Sequence, residues 1–157
     1  MGLSRRHLDT NACPSTFDVD QLAAALERAA PGADLVYLLG SAAGGTVAAH
    51  SDIDISVLLG DDPHGNDEAS QFSTVYRAID EVVAECVGPV RLDLGLLNRA
   101  EPVFRFESLR GRLLVCRDAE RWLSFYERTC REYEERMVSY ERQRRYRLAA
   151  RRGEVVA

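Results

Sequence analysis

The sequence predicts an α/β protein, α+β in its arrangement, that ends in a long C-terminal helix. Three observations predict this class. Short apolar runs of strand length alternate with segments of helical periodicity. The last forty residues have an apolar stripe at helical spacing, and the chain of 157 residues is the size of one domain.

Composition places the chain among ordinary globular proteins. Residues 1–16 are polar and are predicted to be a poorly ordered lead, and residues 17–157 are predicted to form a single domain. The net charge of −5 argues against a non-specific nucleic-acid binder, so no direct nucleic-acid partner is expected. All 20 basic residues are arginine, which excludes a mechanism that needs a catalytic lysine.

Cysteine usage and hydropathy bear on where the protein works. The cysteines lack the CxxC spacing of a zinc or redox site and are expected to be reduced thiols; they are Cys13, Cys86, Cys116 and Cys130. Residues 1–16 lack the apolar core of a signal peptide. No apolar run approaches the ~20 residues that span a bilayer. We therefore expect a cytoplasmic protein without a membrane partner.

Apolar periodicity and breaker residues give the order of elements. Helices are predicted at about 19–30, 67–87, 99–109 and 119–150, and strands at about 34–39, 53–59, 90–97 and 112–116. Residues 41–49 are small and fit either a short helix or a loop. Asp18 and Asp118 are predicted to cap the first and last helices.

The last helix has two different halves. In the first half the apolar stripe is expected to pack on the sheet, and it consists of Trp122, Tyr126, Cys130, Tyr133, Met137 and Tyr140. Beyond Tyr140 arginines follow with little acid between them. This end fits a solvated tail, a surface for a partner protein or an RNA contact, and the sequence leaves the three open.

A glycine and a serine follow the first long apolar strand. Gly40 lets a phosphate approach the backbone because it has no Cβ. The hydroxyl of Ser41 and the amides that follow can bind phosphate oxygens, most easily where a short helix starts. Gly40 and Ser41 are therefore predicted to form a phosphate cradle.

Two aspartates begin the next strand. Asp52 and Asp54 are two residues apart, so their side chains lie on the same face, roughly 6.5–7 Å apart along the strand. Carboxylates this close repel each other unless a cation lies between them. Oxygen ligands in a short span suit Mg²⁺, which completes its shell with water and substrate phosphates.

A third aspartate interrupts the strand at 90–97. Asp93 lies between Leu92 and Leu94, so it faces away from both. If this strand neighbours the Asp52–Asp54 strand, all three carboxylates meet on one face and can supply both metal ligands and a general base. The alternative is a structural ion pair with an arginine such as Arg91.

These motifs resemble a known superfamily. The Gly40-Ser41 pair, the Asp52-Ile53-Asp54 motif ten residues later and the later Asp93 resemble the DNA polymerase β-like nucleotidyltransferases. The downstream motifs resemble the minimal nucleotidyltransferase (MNT) antitoxins, called MntA, of HEPN/MNT toxin–antitoxin pairs; they are Leu92-Asp93-Leu94, residues 97–102, Gly111-Arg112-Leu113-Leu114 and Asp118. The resemblance covers about residues 20–140.

The resemblance implies a nucleotidyltransferase fold, a small mixed β-sheet flanked by helices. It also implies an antitoxin of a type VII-like pair, which transfers AMP from ATP to a tyrosine of a HEPN-family ribonuclease toxin and forms a hetero-oligomer with it. By this resemblance Gly40, Ser41 and Ser51 are expected to bind the nucleotide. Asp52 and Asp54 would hold two Mg²⁺ ions, and Asp93 would bind one of them and deprotonate the tyrosine.

One departure from the family pattern leaves alternatives open. Relatives often have an arginine or lysine in the turn after Gly-Ser, whereas residues 42–46 are uncharged here. Losing that cation would weaken ATP binding by roughly 1.5–3 kcal/mol, unless an arginine from elsewhere, such as Arg91 or one from the partner, replaces it. A binding-only antitoxin that blocks the toxin sterically and a nucleotidyltransferase of small molecules are the alternatives.

Overall fold

A computed structural model describes residues 15–155 of the chain. The strands are β1 (Ser15–Thr16), β2 (Ala33–Leu38), β3 (Thr46–Val47), β4 (Ile53–Leu59), β5 (Leu92–Leu96) and β6 (Arg112–Cys116). The helices are α1 (Val19–Ala29), α2 (Glu68–Cys86), α3 (Pro102–Leu109) and α4 (Ala119–Arg152), with a short 3₁₀ helix at Gly40–Gly44.

The main sheet has four strands in the order β5-β4-β2-β6. β2 is antiparallel to both β4 and β6, whereas β4 and β5 are parallel. The parallel pair is possible because α2 connects the two strands across one face of the sheet, as a parallel crossover requires. The mixed sheet flanked by helices and the long C-terminal helix are thus confirmed.

Alternation along the strands divides the core between the two faces of the sheet. On one face Ile53, Ile55 and Val57 are buried in a large cluster with apolar side chains of α1 and α2. On the other face a smaller cluster joins the sheet to α4, with Leu109 and Trp122 packed against it; its buried members are Leu35, Tyr37, Leu58, Leu97 and Phe125. Asp54 lies on this second face, because it alternates with buried Ile53 and Ile55.

Side chains cap the N-termini of α1 and α4, as the sequence predicts. The Asp18 carboxylate accepts from the Asp20 and Gln21 amides, and Asp118 accepts from the first amides of α4. Arg117 was not predicted to have a role. Its guanidinium donates to the carbonyls of Ala33, Glu27 and Ala30, so it holds the end of α1 against the sheet.

Charged contacts fix the first half of α4. Arg105 of α3 is buried and pairs with Glu132, and Arg136 pairs with Glu101. At the start of α4, Arg121 pairs with Asp34 at 2.8 Å. These pairs anchor α4 as far as residue 136.

The buried face of α4 differs from the predicted stripe. Phe125 and Thr129 are its buried residues next to the sheet, whereas Tyr126 and Tyr140 are exposed. The prediction chose the wrong position of the pair 125–126, since both are aromatic and only the tertiary contact with Tyr37 distinguishes them. In the second half, large side chains remain exposed; they are Val138, Tyr140, Tyr146 and Leu148.

Three predicted boundaries need correction. Ser15 and Thr16, the last residues of the lead predicted to be poorly ordered, pair with β3, and the rest of that lead, residues 1–14 with Cys13, lies outside the described residues. The segment 41–49 contains the 3₁₀ helix and then β3. α3 starts at Pro102 and not at Arg99, because a proline disfavours helical backbone at the residue before it, and Glu101 is extended.

Two findings concern the described residues alone. Within 15–155, the thiols of Cys86, Cys116 and Cys130 are free. No helix in this part of the chain combines the length and the apolar character that crossing a membrane requires.

Candidate active site

The candidate site lies at one edge of the main sheet, where β2 ends and β4 and β5 begin. Gly40 comes two residues after the end of β2, and Asp54 and Asp93 are the second residues of their strands. Because β2 runs antiparallel to β4 and β4 parallel to β5, these three positions meet at the same edge. Three distant segments of sequence therefore contribute to one site.

Asp54 and Asp93 are register partners on adjacent strands. The parallel ladder pairs Asp54 with Asp93 and Ile53 with Leu92. Partners in register point to the same face, and buried Leu92 faces the α1–α2 cluster, so Asp93 faces the opposite side with Asp54. Both aspartates are exposed. Asp93 therefore lies on the predicted face of the sheet.

Asp52 precedes β4 and joins the same electrostatic cluster. The pKa of Asp54 is raised above its usual 3.8 by burial first, then by the negative charge of Asp93 and by that of Asp52. None of the ion pairs within residues 15–155 joins Asp93 to Arg91, so the structural alternative for Asp93 is not what the structure shows. The cluster is a set of mutually repelling carboxylates.

The Gly-Ser turn is held against this cluster by the backbone. The Leu39 amide donates to the Asp54 carbonyl at 2.9 Å, and a Cβ built on Gly40 would lie 3.8 Å from Asp54 Oδ2. Gly40 has φ +64°, a left-handed conformation that costs other residues about 1–2 kcal/mol. Ser41 follows on the exposed surface. The glycine is thus favoured by its conformation, whereas a Cβ would be at an ordinary van der Waals distance from Asp54.

The loop before Asp52 is strained at a histidine. His50 has φ +63° and is the one residue other than glycine in the described chain with positive φ. Ser51, which the family resemblance predicts to bind the nucleotide, is exposed, and its amide donates to Ala48 O at 3.1 Å. This tight turn leads directly into β4. The positive φ at His50 could not be predicted from the sequence, because a residue other than glycine rarely adopts this conformation.

The chemistry of the donor set fits a hard divalent cation. Within residues 15–155, no three His, Cys, Asp or Glu side chains assemble into a ready-made metal cage. Mg²⁺ seldom uses such cages, because it binds one or two carboxylates and completes its octahedron with water and substrate phosphates. Asp52, Asp54 and Asp93 offer oxygen ligands only, and a cation would relieve their repulsion. The residues present therefore fit Mg²⁺ bound together with a nucleotide.

Two contacts near the site could not be predicted from the sequence. The Phe104 ring lies over Gly95, where a Cβ would come within 2.4 Å of it, so α3 packs on the strand that bears Asp93. Arg110, just after α3, lines a cavity together with Gly40 and Ala43. Apolar periodicity cannot find either contact, because each depends on how α3 folds back over the sheet.

The fold and this site define a class of protein. A strand, a Gly-Ser turn and neighbouring strands with aspartates at one edge are the arrangement of a nucleotidyltransferase domain. The chain belongs to the family described as Polymerase beta, Nucleotidyltransferase, whose model matches residues 21–120. This match includes all the candidate site residues and most residues of both core clusters.

Solved structures share the fold at low identity. One is a MntA–HpeT toxin–antitoxin with two aspartate-to-glutamate changes (22% identity, TM-score 0.58, covering 85% of this chain and 98% of that one). A second is a toxin–antitoxin with AMP-PNP (23%, TM-score 0.57, 85% and 98%). A third is the tri-AMPylated Shewanella oneidensis HEPN toxin in complex with MNT antitoxin (21%, TM-score 0.52, 84% and 95%). Among curated proteins, no sequence matches significantly.

Proposed function

We propose that this protein is an antitoxin that transfers AMP from ATP to a tyrosine of a HEPN-family ribonuclease toxin. The observation that carries the proposal is the register pairing of Asp54 with Asp93 beside the Gly40 turn. The arrangement offers a place for the nucleotide's phosphates and a carboxylate for the incoming hydroxyl at one edge of the sheet.

The proposed reaction is in-line displacement at the α-phosphate. The tyrosine oxygen forms a bond to the α-phosphorus, and the bond from that phosphorus to the pyrophosphate oxygen breaks. The hydroxyl proton goes to Asp93, and pyrophosphate leaves. Gly40 and Ser41 hold phosphate oxygens, and Ser51 contacts the nucleotide. Bound Mg²⁺ ions, two in the full proposal, would be held by Asp52, Asp54 and Asp93 and would offset phosphate charge.

The relatives support this choice of substrate and partner. One neighbouring structure contains AMP-PNP, and another contains a HEPN toxin with three AMP groups. A third carries aspartate-to-glutamate changes at two positions that are two residues apart, the same spacing as Asp52 and Asp54 here. These proteins support ATP as substrate and a toxin as partner of the present chain.

A labelling experiment tests the proposal. The protein is mixed with a HEPN-family ribonuclease, Mg²⁺ and α-labelled ATP, and label on the toxin is followed. Asp52→Asn/Asp54→Asn is expected to abolish labelling. The control, Asp61→Asn/Glu81→Gln, removes the same charge at two exposed positions away from the site and is expected to leave labelling unchanged. Full labelling by the Asp52/Asp54 variant would contradict the proposal.

A binding-only antitoxin is the second candidate, and exposed apolar side chains on α4 favour it. Val138 is 58% exposed and Tyr146 50%, so α4 offers contact area beyond the body. Titrating toxin activity separates the two functions. An enzyme neutralises the toxin at substoichiometric amounts with ATP, whereas a steric inhibitor needs one equivalent and is indifferent to the Asp52/Asp54 variant.

A further inference from the structure

A cavity of about 260 Å³ opens beside the Gly-Ser turn, and its lining does not include the aspartates. It is lined by Gly40, Ala43, Glu107, Arg110 and Gly111. Gly40 is the shared point, because it contacts this cavity and also lies next to Asp54. A polyphosphate whose reacting end is at the carboxylates can therefore extend past Gly40 into the cavity.

The backbone of Arg110 is fixed at this place. A Cβ on Gly111 would lie 2.6 Å from the Leu38 carbonyl oxygen and 2.7 Å from the Leu39 side chain. The Gly111 amide also donates to Ser108 O at 3.0 Å. The turn that contains Arg110 therefore packs directly on Leu38, the last residue of β2, and on Leu39, the residue before Gly40.

The side chain of Arg110, in contrast, is free to move. Its side chain is 68% exposed, and among residues 15–155 its one ion pair is a 3.5 Å contact with Glu107 on the same helical turn. An exposed ion pair of this kind contributes little to stability. A phosphate can replace Glu107 as its partner at small cost.

Charge indicates what Arg110 binds. The turn at residues 42–46 has no charged side chain, yet a nucleoside triphosphate needs cations along its phosphates. Arg110 is the one cationic side chain that lines the cavity in the described part of the chain, and the arginine fork matches phosphate oxygens in a bidentate manner. Arg112, the arginine that follows Gly111, is already paired with Asp20 at 3.3 Å.

We propose that Arg110 leaves Glu107 and binds the terminal phosphates of the nucleotide, replacing the cation that the Gly-Ser turn lacks. The inference rests on the proposed function, since it places the reacting phosphate at Asp54 and Asp93. Glu107 then acts as a competitor that holds Arg110 while the nucleotide is absent.

This role is tested by calorimetry, which measures the affinity for AMP-PNP in the presence of Mg²⁺ and, separately, the affinity for AMP. Arg110→Gln is expected to weaken AMP-PNP binding roughly 10-fold and to leave AMP binding unchanged, because AMP lacks the terminal phosphates. Arg110→Lys is expected to keep part of the affinity. Arg99→Gln is the matched control: Arg99 is also exposed and also pairs with a glutamate, Glu68, and it follows the opposite end of β5.

Glu107→Gln adds a second, independent arm. It is expected to tighten AMP-PNP binding a few-fold in the wild-type background and to have a smaller effect when Arg110 is already glutamine. Equal effects in both backgrounds would show that Glu107 merely repels phosphate, which contradicts the exchange of partners.

The outcomes separate this inference from the proposed function. If the wild type binds AMP-PNP and Arg110→Gln binds it equally well, the role of Arg110 is overturned and the proposed function stands. An equal loss for AMP and AMP-PNP would also overturn it, because Arg110 would then act on the part that both ligands share. If the wild type binds neither, the proposed function fails and this inference with it. Circular dichroism of each variant checks that it is folded.

Discussion

Removing one negative charge from the carboxylate cluster is expected to stabilise the metal-free protein. Asp54→Asn keeps the size of the side chain and removes its charge opposite Asp93. Burial and the charges of Asp93 and Asp52 raise the pKa of Asp54 above 3.8. The folded state therefore holds the ionised carboxylate less favourably than the unfolded chain does.

The magnitude follows from the geometry of neighbouring strands. Side chains on paired positions lie roughly 5 Å apart. At that distance two unit charges repel by about 0.8 kcal/mol in water and by about 3 kcal/mol at an effective dielectric constant of 20. Asp54 is exposed, so solvent screening favours the smaller figure. We expect a gain of about 1 kcal/mol in the free energy of unfolding, or roughly 2–4 °C in Tm.

The dependence on pH and salt identifies the cause. Because the folded-state pKa of Asp54 is raised, the repulsion is absent below the unfolded pKa near 3.8 and increases as the pH rises through the folded value. The advantage of Asp54→Asn should therefore be absent in acid and complete at pH 7. It should shrink in 1 M salt, where the screening length is about 3 Å.

Urea and thermal unfolding with EDTA at low salt measure the effect. Asp61→Asn is the control, since it makes the same chemical change at an exposed loop position. Asp61→Asn is expected to leave stability unchanged. If Asp54→Asn is as stable as the wild type or less stable, while the control behaves as expected, the carboxylates do not repel one another as argued. Added Mg²⁺ should stabilise the wild type more than Asp54→Asn.

Three further predictions concern packing and titration. Gly111→Ala should cost about 1–3 kcal/mol in urea unfolding, because its Cβ would lie 2.6 Å from a backbone carbonyl, whereas Gly44→Ala, with open space around it, should cost far less; equal costs would contradict this. Burial raises the pKa of Tyr37 to about 12, so wild-type stability should fall as the pH rises from about 10 towards 12, and Tyr37→Phe should lack this fall in a pH series of unfolding curves. Glu132→Ala leaves the Arg105 charge buried without its partner, so a loss of about 3 kcal/mol is expected; a loss below about 0.5 kcal/mol would show that Arg105 is satisfied elsewhere.

Local chemistry was enough to predict most elements. The bounds 53–59 and 112–116 agree with β4 and β6, because strong apolar runs are bounded there by breakers or charged residues. Asp18 and Asp118 could be recognised as caps, since a helix start depends on neighbouring residues alone. The face of Asp93 could be predicted from Leu92 and Leu94 by alternation.

Features that depend on distant contacts could not be predicted. The choice of Phe125 over Tyr126 follows from packing on Tyr37, and the pairing of β1 with β3 joins segments that show no strand pattern of their own. Arg110 is an ordinary surface arginine in the sequence. It becomes a candidate for phosphate binding because Gly111 packs on the end of β2.

The register of β5 against β4 determines both the apolar core and the position of Asp93. Backbone bonds from Ile53 to Arg91 and from Leu97 to Val57 set the alignment of the two strands at either end. A slip of β5 by one residue would turn Asp93 into the apolar core and Leu92 out to solvent. A misaligned sheet would thus lose its core and its acidic edge together. The pairing of Asp54 with Asp93 therefore depends on the same strand register that buries Leu92 in the core.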